Sequence, residues 1–321
     1  MTRDVTWDRG ISLPAHSLWL DPLTVRDLAV VSHAHADHAR RHRQAVLTQA
    51  TLALLAPERR PRDPCTVPFE TPVRLGGCTA TLYPAGHMLG AAQVLISYAG
   101  ETLLYSGDLK LRRGAAHGKT FIPHADVLVL ESTYGELQFR FPDPDTVLEA
   151  IAMWCRRCLD TRVTPVLLAH ATGKAQELMV ALSGYGFSFA LEERCLAYSE
   201  AYERAGMTLP DHVALSDDAG GRVVLAPPTG KAAIRRLARY RTALVSGWAA
   251  DREFRRVFGA DVAFPLSDHC DFDELLEVAR AAGAGKVYTV HGFSLELAAH
   301  MRRRGIRACA LQQTEQLALA I

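Results

Sequence analysis

Residues 31–38 read Val-Ser-His-Ala-His-Ala-Asp-His and put three imidazoles and one carboxylate into six positions. The residues just before them, Leu28 to Val31, are apolar and partly β-branched, the pattern of a short buried strand. Four ligand-type side chains at the end of a strand suit zinc, which takes imidazole nitrogen and carboxylate oxygen. His33 and His35 lie two apart and can converge on one ion from an extended turn. Asp37 and His38 follow at once and can lean toward a second. A merely polar loop would have to gather four such residues in six by chance.

Further candidate ligands also sit at expected strand ends. A strand over 18–20 is closed by Asp21-Pro22, because proline cannot continue a ladder. Residues 46–48 read as a strand and 50–56 as a helix closed by Pro57. A strand over 79–83 runs into Pro84-Ala85-Gly86-His87. Strands over 93–98 and 101–105, joined by Ala99-Gly100, carry a hairpin signal and end in Ser106-Gly107-Asp108. The continuous apolar run 126–131 is a buried strand ending in Glu131. Side chains gathered at one edge of a sheet make a site on rigid elements.

From about Phe139 the pattern changes. Pro142-Asp143-Pro144-Asp145 caps a helix over 146–160, followed by a strand over 166–169. A helix over 173–182 carries Ala175, Leu178, Met179 and Leu182 on one face. A strand over 222–226, a basic helix over 231–240 and a strand over 243–246 then imply βαβ units and a small parallel sheet. Near Phe264 the first style returns. Asp271 and Glu274 form a capping box for a helix with Phe272, Leu275, Leu276 and Ala279 inward. A strand over 287–290 ends at His291-Gly292, and a helix covers 294–304. The expected division is one domain from 1–138 and 263–321, with a second, 139–262, inserted in it.

A chain of 321 residues, 49% hydrophobic and 22% charged, has a globular composition. Its net charge of +1 argues neither for nor against a polyanionic partner, so any such surface is a local patch. Residues 231–256 hold eight basic side chains (Lys231, Arg235, Arg236, Arg239, Arg241, Arg252, Arg255, Arg256) against Asp251 and Glu253, and could line a cleft opposite the metals. Seven scattered cysteines suit free thiols in a reducing cytoplasm, and Cys155-x-x-Cys158 lacks the second pair of a zinc knuckle. No apolar signal core opens the sequence and no run reaches about 18 apolar residues, so a soluble cytoplasmic protein without membrane contact is expected. His42, His117 and His124 read as surface histidines, and Arg302 to Arg304 as a solvated helix end.

The order His-x-His-x-Asp-His, then His87, then Asp108, resembles the metallo-β-lactamase fold. Glu131 in Leu-Glu-Ser-Thr-Tyr-Gly, His269 in Ser-Asp-His and His291 in Val-His-Gly resemble the three additional motifs of the β-CASP nucleases, the group of Artemis and the mRNA 3′-end cleavage factor. Gly173-Lys174-Ala175-Gln176-Glu177 is similar to a turn of the inserted β-CASP domain. Chain length and Val245-Ser-Gly-Trp-Ala-Ala-Asp-Arg252 look most like the bacterial ligase-associated DNA damage response exonucleases. The resemblance implies an αββα metallo-β-lactamase sandwich with an inserted α/β β-CASP domain. It implies two zinc ions, with manganese possible. His33, His35 and His87 would hold the first ion, Asp37, His38 and His291 the second, and Asp108 would bridge them. Asp21 would support the ligand turn, and Asp37, Glu131 and His269 would be catalytic. Lys174, Arg235, Arg239 and Arg252 are expected to contact nucleic acid.

What the resemblance implies is hydrolysis of DNA phosphodiesters in repair, with an ATP-dependent DNA ligase and a helicase as associates. Two zinc ions about 3.5–4 Å apart share a hydroxide and clamp phosphoryl oxygens. His269, oriented by Glu131, would protonate the leaving oxygen and yield a 5′-phosphate and a 3′-hydroxyl. DNA-directed relatives usually carry Val where this chain has His291, and RNA-processing ones carry His, so RNA stays open as substrate. A small ester or thioester hydrolase would need neither the Glu131–His269 pair nor the insertion. An inactive scaffold would lack ligands that are all present here.

Overall fold

The computed structural model describes residues 5–112, 114, 120–251 and 257–311. The chain divides into two compact units. Among the described residues, one comprises 5–112, 120–137 and 269–311, and the other comprises Gly114, 138–251 and 257–268.

The first unit is built on two sheets. One runs, in spatial and chain order, β1 (Thr6–Trp7), β2 (Ile11–Leu13), β3 (Leu18–Leu20), β4 (Leu28–Val30), β5 (Gln44–Leu47) and β6 (Asp63–Thr66). Strands β3 to β6 pair in parallel. The other runs β19 (Ala308–Ala310), β18 (Lys286–Val290), β11 (Val127–Glu131), β10 (Glu101–Tyr105), β9 (Ala92–Tyr98), β8 (Cys78–Pro84) and β7 (Val73–Leu75). Leu18, Leu20, Val30 and Val46 of the first sheet share one core with Leu82, Val94, Ile96, Leu103, Val127 and Val129 of the second. Burying one such side chain contributes about 1.5–3 kcal/mol.

Residues 127–130 of strand β11 are all apolar because both its faces are covered. Val127 and Val129 enter the shared core. Leu128 and Leu130 point the other way, as alternation requires, and are also buried, on a strand that packs against the helix Phe272–Ala281. That helix, α6 in chain order, keeps Phe272, Leu275, Leu276, Val278 and Ala279 inward and has the expected capping box of Asp271 and Glu274. Helices α1 (Gln49–Leu54) and α7 (Ser294–Arg303) complete the layers, α1 packing on β6 and α7 on β18 and β19. The parallel strands β10, β11 and β18 and the like-directed β8 all finish at one edge of their sheet.

The second unit is an all-parallel sheet ordered β14 (His212–Ala214), β13 (Phe189–Leu191), β15 (Val223–Ala226), β12 (Thr164–Leu168), β16 (Tyr240–Val245), β17 (Val262–Phe264). It carries helices α2 (Pro144–Asp160), α3 (Lys174–Ser183), α4 (Glu193–Arg204) and α5 (Lys231–Ile234). The sheet extends past residue 262 because β17 pairs with β16.

Two expectations are corrected here. The basic helix over 231–240 ends at Ile234, because Tyr240 already pairs with Thr164 in the sheet and Leu237 turns into the core. His42 is buried, not a surface residue: Arg26 N donates to its Nδ1 at 3.2 Å, and burial, with Arg40 and Arg26 nearby, pushes its pKa down to about 4. His124 is exposed, and His117 lies outside the described residues. All seven cysteines are free thiols, and burial pushes Cys155 up to about 12. No helix among the described residues is long and apolar enough to cross a membrane.

Candidate metal centre

Strand β4 is paired on both sides, so the turn that leaves it starts from a fixed point. Val31 N donates to Val46 O at 2.9 Å, and Ala92 N of the opposite sheet donates to Ser32 O at 2.9 Å. The two sheets are thereby tied together at the ligand turn. Beneath it lies Asp21, buried and in the left-handed region at φ 45°. Its carboxylate accepts from Ser32 N at 2.7 Å, from His38 Nδ1 at 2.8 Å, from the Tyr105 hydroxyl at 2.9 Å and from Ser32 Oγ.

These bonds fix the imidazole tautomers. Ser32 Oγ gives its one proton to Asp21, so it accepts from His33 Nδ1 at 2.9 Å. His33 then presents a bare Nε2 to Asp108 Oδ2 at 3.4 Å. His38 donates from Nδ1 to Asp21, and its Nε2 faces Asp108 Oδ2 at 3.5 Å and Asp37 Oδ2 at 3.7 Å. A carboxylate behind an imidazole is the support that metal-binding histidines use.

The other ligands come from the second sheet. Asp108 follows β10 after Gly107, whose φ of 54° and close approach to Ala92 O and Ser32 leave no room for a Cβ. His87 leaves the end of β8, and its Nε2 lies 3.7 Å from Asp108 Oδ2 and 3.2 Å from His35 Nδ1. One candidate ligand atom from each of His33, His35, His87 and Asp108 lies within 4.8 Å of all the others. His291 follows β18 at φ 62°, with its ring 5.4 Å from that of His38 and edge-on to Trp7. Ser132 Oγ holds this turn by donating to Val290 O at 2.8 Å and His291 O at 2.5 Å. Asp37 is the outermost member, with its side chain 41% exposed.

The electrostatics suit a cation. Burial opposes charge on Asp108, yet the imidazoles of His38, His33 and His269 hold it well below the usual carboxylate range. Burial would lower His38, yet Asp108, Asp37 and Asp21 push it up to about 10. Burial and the neighbouring His38 lower His291. His33 Nε2 and His291 Nε2 are buried without a hydrogen-bond partner among the described residues. Leaving such a nitrogen unsatisfied costs about 1–3 kcal/mol, and a bound ion removes that cost. The donor set of nitrogen and carboxylate oxygen therefore fits zinc or manganese. Asp21, His33 and His38 also cluster, but Asp21 has both oxygens committed to four donors and supports rather than ligates.

Beside Asp108 stands a second carboxylate–imidazole pair. Fully buried Glu131 accepts from Leu109 N at 2.7 Å, Thr133 Oγ1 at 2.5 Å and His269 Nδ1 at 3.1 Å. Cys270 N donates to Leu109 O at 2.7 Å, so the backbone of one residue, Leu109, ties both partners to the Asp108 segment. The His269 ring packs 4.6 Å from His87. Sequence reasoning missed Ser32, Tyr105, Thr133 and Leu109; only Ser32, next to His33, carried a signal.

The expected nucleic-acid contacts fare differently. Lys174 is buried and its ammonium pairs with Glu177 at 3.0 Å and with Asp268, so its charge is neutralised inside the protein and cannot reach a phosphate. Gln176 closes the same turn, its Oε1 accepting from Gly173 N at 2.8 Å, which makes the motif a structural one. Arg235 and Arg239 are exposed, and Arg252 lies outside the described residues.

No family model matches the chain. Over its whole length it is 36% identical to a protein of Opitutus terrae named probable DNA ligase, covering 32% of that protein. It is 36% identical over 37% of its length to endoribonuclease ysh1 of Emericella nidulans, covering 14% of that protein. It is 30% identical over 32% of its length to an RNase J-like protein of Methanocaldococcus jannaschii, covering 25% of it. The chain thus spans about a third or less of the length of each of these relatives. A protein of unknown function from Enterococcus faecalis has a similar fold, with a TM-score of 0.58 at 13% identity over 90% of this chain and 80% of that one. The order of the ligands, the layered α/β unit interrupted by a second α/β unit, and these relatives identify the chain as a member of the metallo-β-lactamase-fold β-CASP nuclease family.

Proposed function

We propose that this chain is a two-zinc nuclease that hydrolyses DNA phosphodiesters from strand ends during repair. The observation that carries the reading is the convergence of seven ligand-type side chains beside an independently fixed Glu131–His269 pair. His33, His35 and His87 would hold one ion, Asp37, His38 and His291 the other, and Asp108 both. When bound, such a pair supplies a hydroxide near neutral pH and charge compensation for the phosphoryl oxygens. The Asp21 bond holds one His38 proton on Nδ1, so that Nε2 is the nitrogen that would meet a metal, and through Ser32 the same holds for His33. Glu131 holds the His269 proton on Nδ1, which leaves Nε2 to carry the proton delivered to the leaving oxygen. The product is a 5′-phosphate and a 3′-hydroxyl.

DNA is favoured because the alignment with the protein named probable DNA ligase runs the full length of the chain. Functional association with a ligase follows from the same relative, and association with a helicase from the motif resemblance. RNA is the second reading, supported by the endoribonuclease and RNase J-like relatives and by His291. Digestion of matched end-labelled DNA and RNA, with defined 5′ and 3′ ends, separates the two and gives polarity. Asp108→Ala should abolish cleavage of either substrate. Retained activity in a clean preparation would refute the site.

A further inference from the structure

The basic stretch at 231–256 is not the only one in the chain. Arg40, Arg41 and Arg43 follow the ligand turn directly, and Arg59, Arg60 and Arg62 follow α1, with only Glu58 and Asp63 as acids between residues 40 and 63. The fold brings the two segments side by side in the first unit. Arg62 N donates to His42 O at 3.0 Å and Asp63 N to Arg43 O at 2.8 Å, leading into β6, the open edge of its sheet.

Two of these guanidiniums converge on the metal turn. Arg40 Nη1 donates to Ala36 O and, at 2.8 Å, to Ala39 O, while its Nε donates to Leu23 O at 3.0 Å. Arg59 Nη1 donates to the same two carbonyls, at 2.8 and 3.3 Å. Ala36 and Ala39 bracket Asp37 and His38, so two like charges sit within a turn of two candidate ligands. Among the described residues, Arg40 Nη2 and Arg59 Nε and Nη2 have no protein acceptor. Arg43 pairs with Asp27 at 3.6 Å, but Arg40, Arg41, Arg59, Arg60 and Arg62 have no carboxylate within salt-bridge distance among the described residues. Arg41, Arg60 and Arg62 are exposed. A solvated helix face is ordinarily interspersed with acids. Here Arg40 and Arg59 share two carbonyl acceptors, with Asp37 as the carboxylate acting on Arg40, and Arg41, Arg60 and Arg62 are exposed on the same two segments, so that their remaining N–H edges match phosphate oxygens.

We propose that Arg40 and Arg59 form a phosphate site adjoining the metal centre and that Arg41, Arg60 and Arg62 continue it along the β6 edge as the track for a nucleic-acid strand. The track rests on the nuclease reading for its substrate class, and it places strand binding on the unit that holds the metals. The phosphate is either a strand terminus or an internal phosphodiester.

The test separates binding from cleavage. Anisotropy of a short fluorescein-labelled single-stranded DNA is measured on full-length Asp108→Asn protein, over a range of salt. Adding Arg41→Ala with Arg62→Ala, two exposed side chains with no hydrogen bond or ion pair among the described residues, should leave the melting temperature unchanged. It should lower the slope of log Kd against log salt by about 1.4, two phosphate contacts at about 0.7 each. Arg59→Gln should weaken binding about tenfold, and Arg59→Lys less, because lysine keeps the charge but not the fork. A loss confined to 5′-phosphorylated strands assigns Arg40 and Arg59 to a terminal phosphate. An equal loss on 5′-hydroxyl strands assigns them to the backbone. An unchanged slope, or one matched by Arg204→Ala on α4, overturns the track. If the wild-type chain does not cleave but binding depends on these arginines, the nuclease reading fails and the track stands.

Discussion

Asp21→Asn is the most informative single change, because it keeps the side chain's shape and removes only charge and one acceptor. All four partners of Asp21 are donors: Ser32 N, Ser32 Oγ, His38 Nδ1 and the Tyr105 hydroxyl. An amide has one acceptor oxygen. Its NH2 must face either Ser32 N or the three donors at the other oxygen. At least one buried donor is then unsatisfied, at about 1–3 kcal/mol, and the rest lose charge assistance. The expected destabilisation is about 3–5 kcal/mol, the range for removing one partner of a buried pair. His38 is also released to carry its proton on the ligand nitrogen, so affinity for the second ion should fall about 10–100-fold. Urea unfolding and zinc competition against a chelating indicator read the two effects separately. Burial opposes the Asp21 charge, yet the bond to His38 and the charges of His38 and His33 hold its pKa below 3.8. The folded value is depressed, so its stabilisation is complete above about pH 4 and is lost as pH falls through the folded value. The variant should therefore flatten the acid limb of stability. An Asp21→Asn protein that unfolds at the wild-type urea concentration and keeps both ions at wild-type affinity would refute this reasoning.

The remaining predictions concern separate parts of the structure. His269→Ala should lower kcat about 10²–10⁴-fold with metal stoichiometry retained, as checked by elemental analysis beside single-turnover cleavage. In metal-free protein His38 is raised to about 10, so its stabilisation is full below about pH 6.5 and lost as pH rises through about 10. Metal uptake at pH 7.5 should then release a proton, which calorimetry in two buffers of different ionisation enthalpy detects. Lys174→Met should cost about 3–5 kcal/mol by leaving Glu177 and Asp268 without their cation, while the salt slope of nucleic-acid binding stays put. Gly107→Ala forces a Cβ to 2.9 Å from Ala92 O at φ 54° and should cost about 1–3 kcal/mol by thermal melting.

The sequence by itself determined what is local. His33 to His38, the apolar run into Glu131 and the Asp271 capping box could be read directly, because each is written in contiguous residues whose spacing or alternation has one good structural solution. Alternation failed for the short strands β13, β14 and β17, which have three residues each and take their identity from neighbours in the sheet. The tertiary structure alone decided how remote residues share charge. Lys174 looked like a free cation until folding brought Asp268 to it, 94 positions away, and His42 looked exposed until Arg26 closed over it. Family resemblance had already separated the roles of Asp21 and Asp108, and the tertiary structure supplies the physical reason: the Asp21 carboxylate is spent on four donors, while that of Asp108 faces the imidazoles.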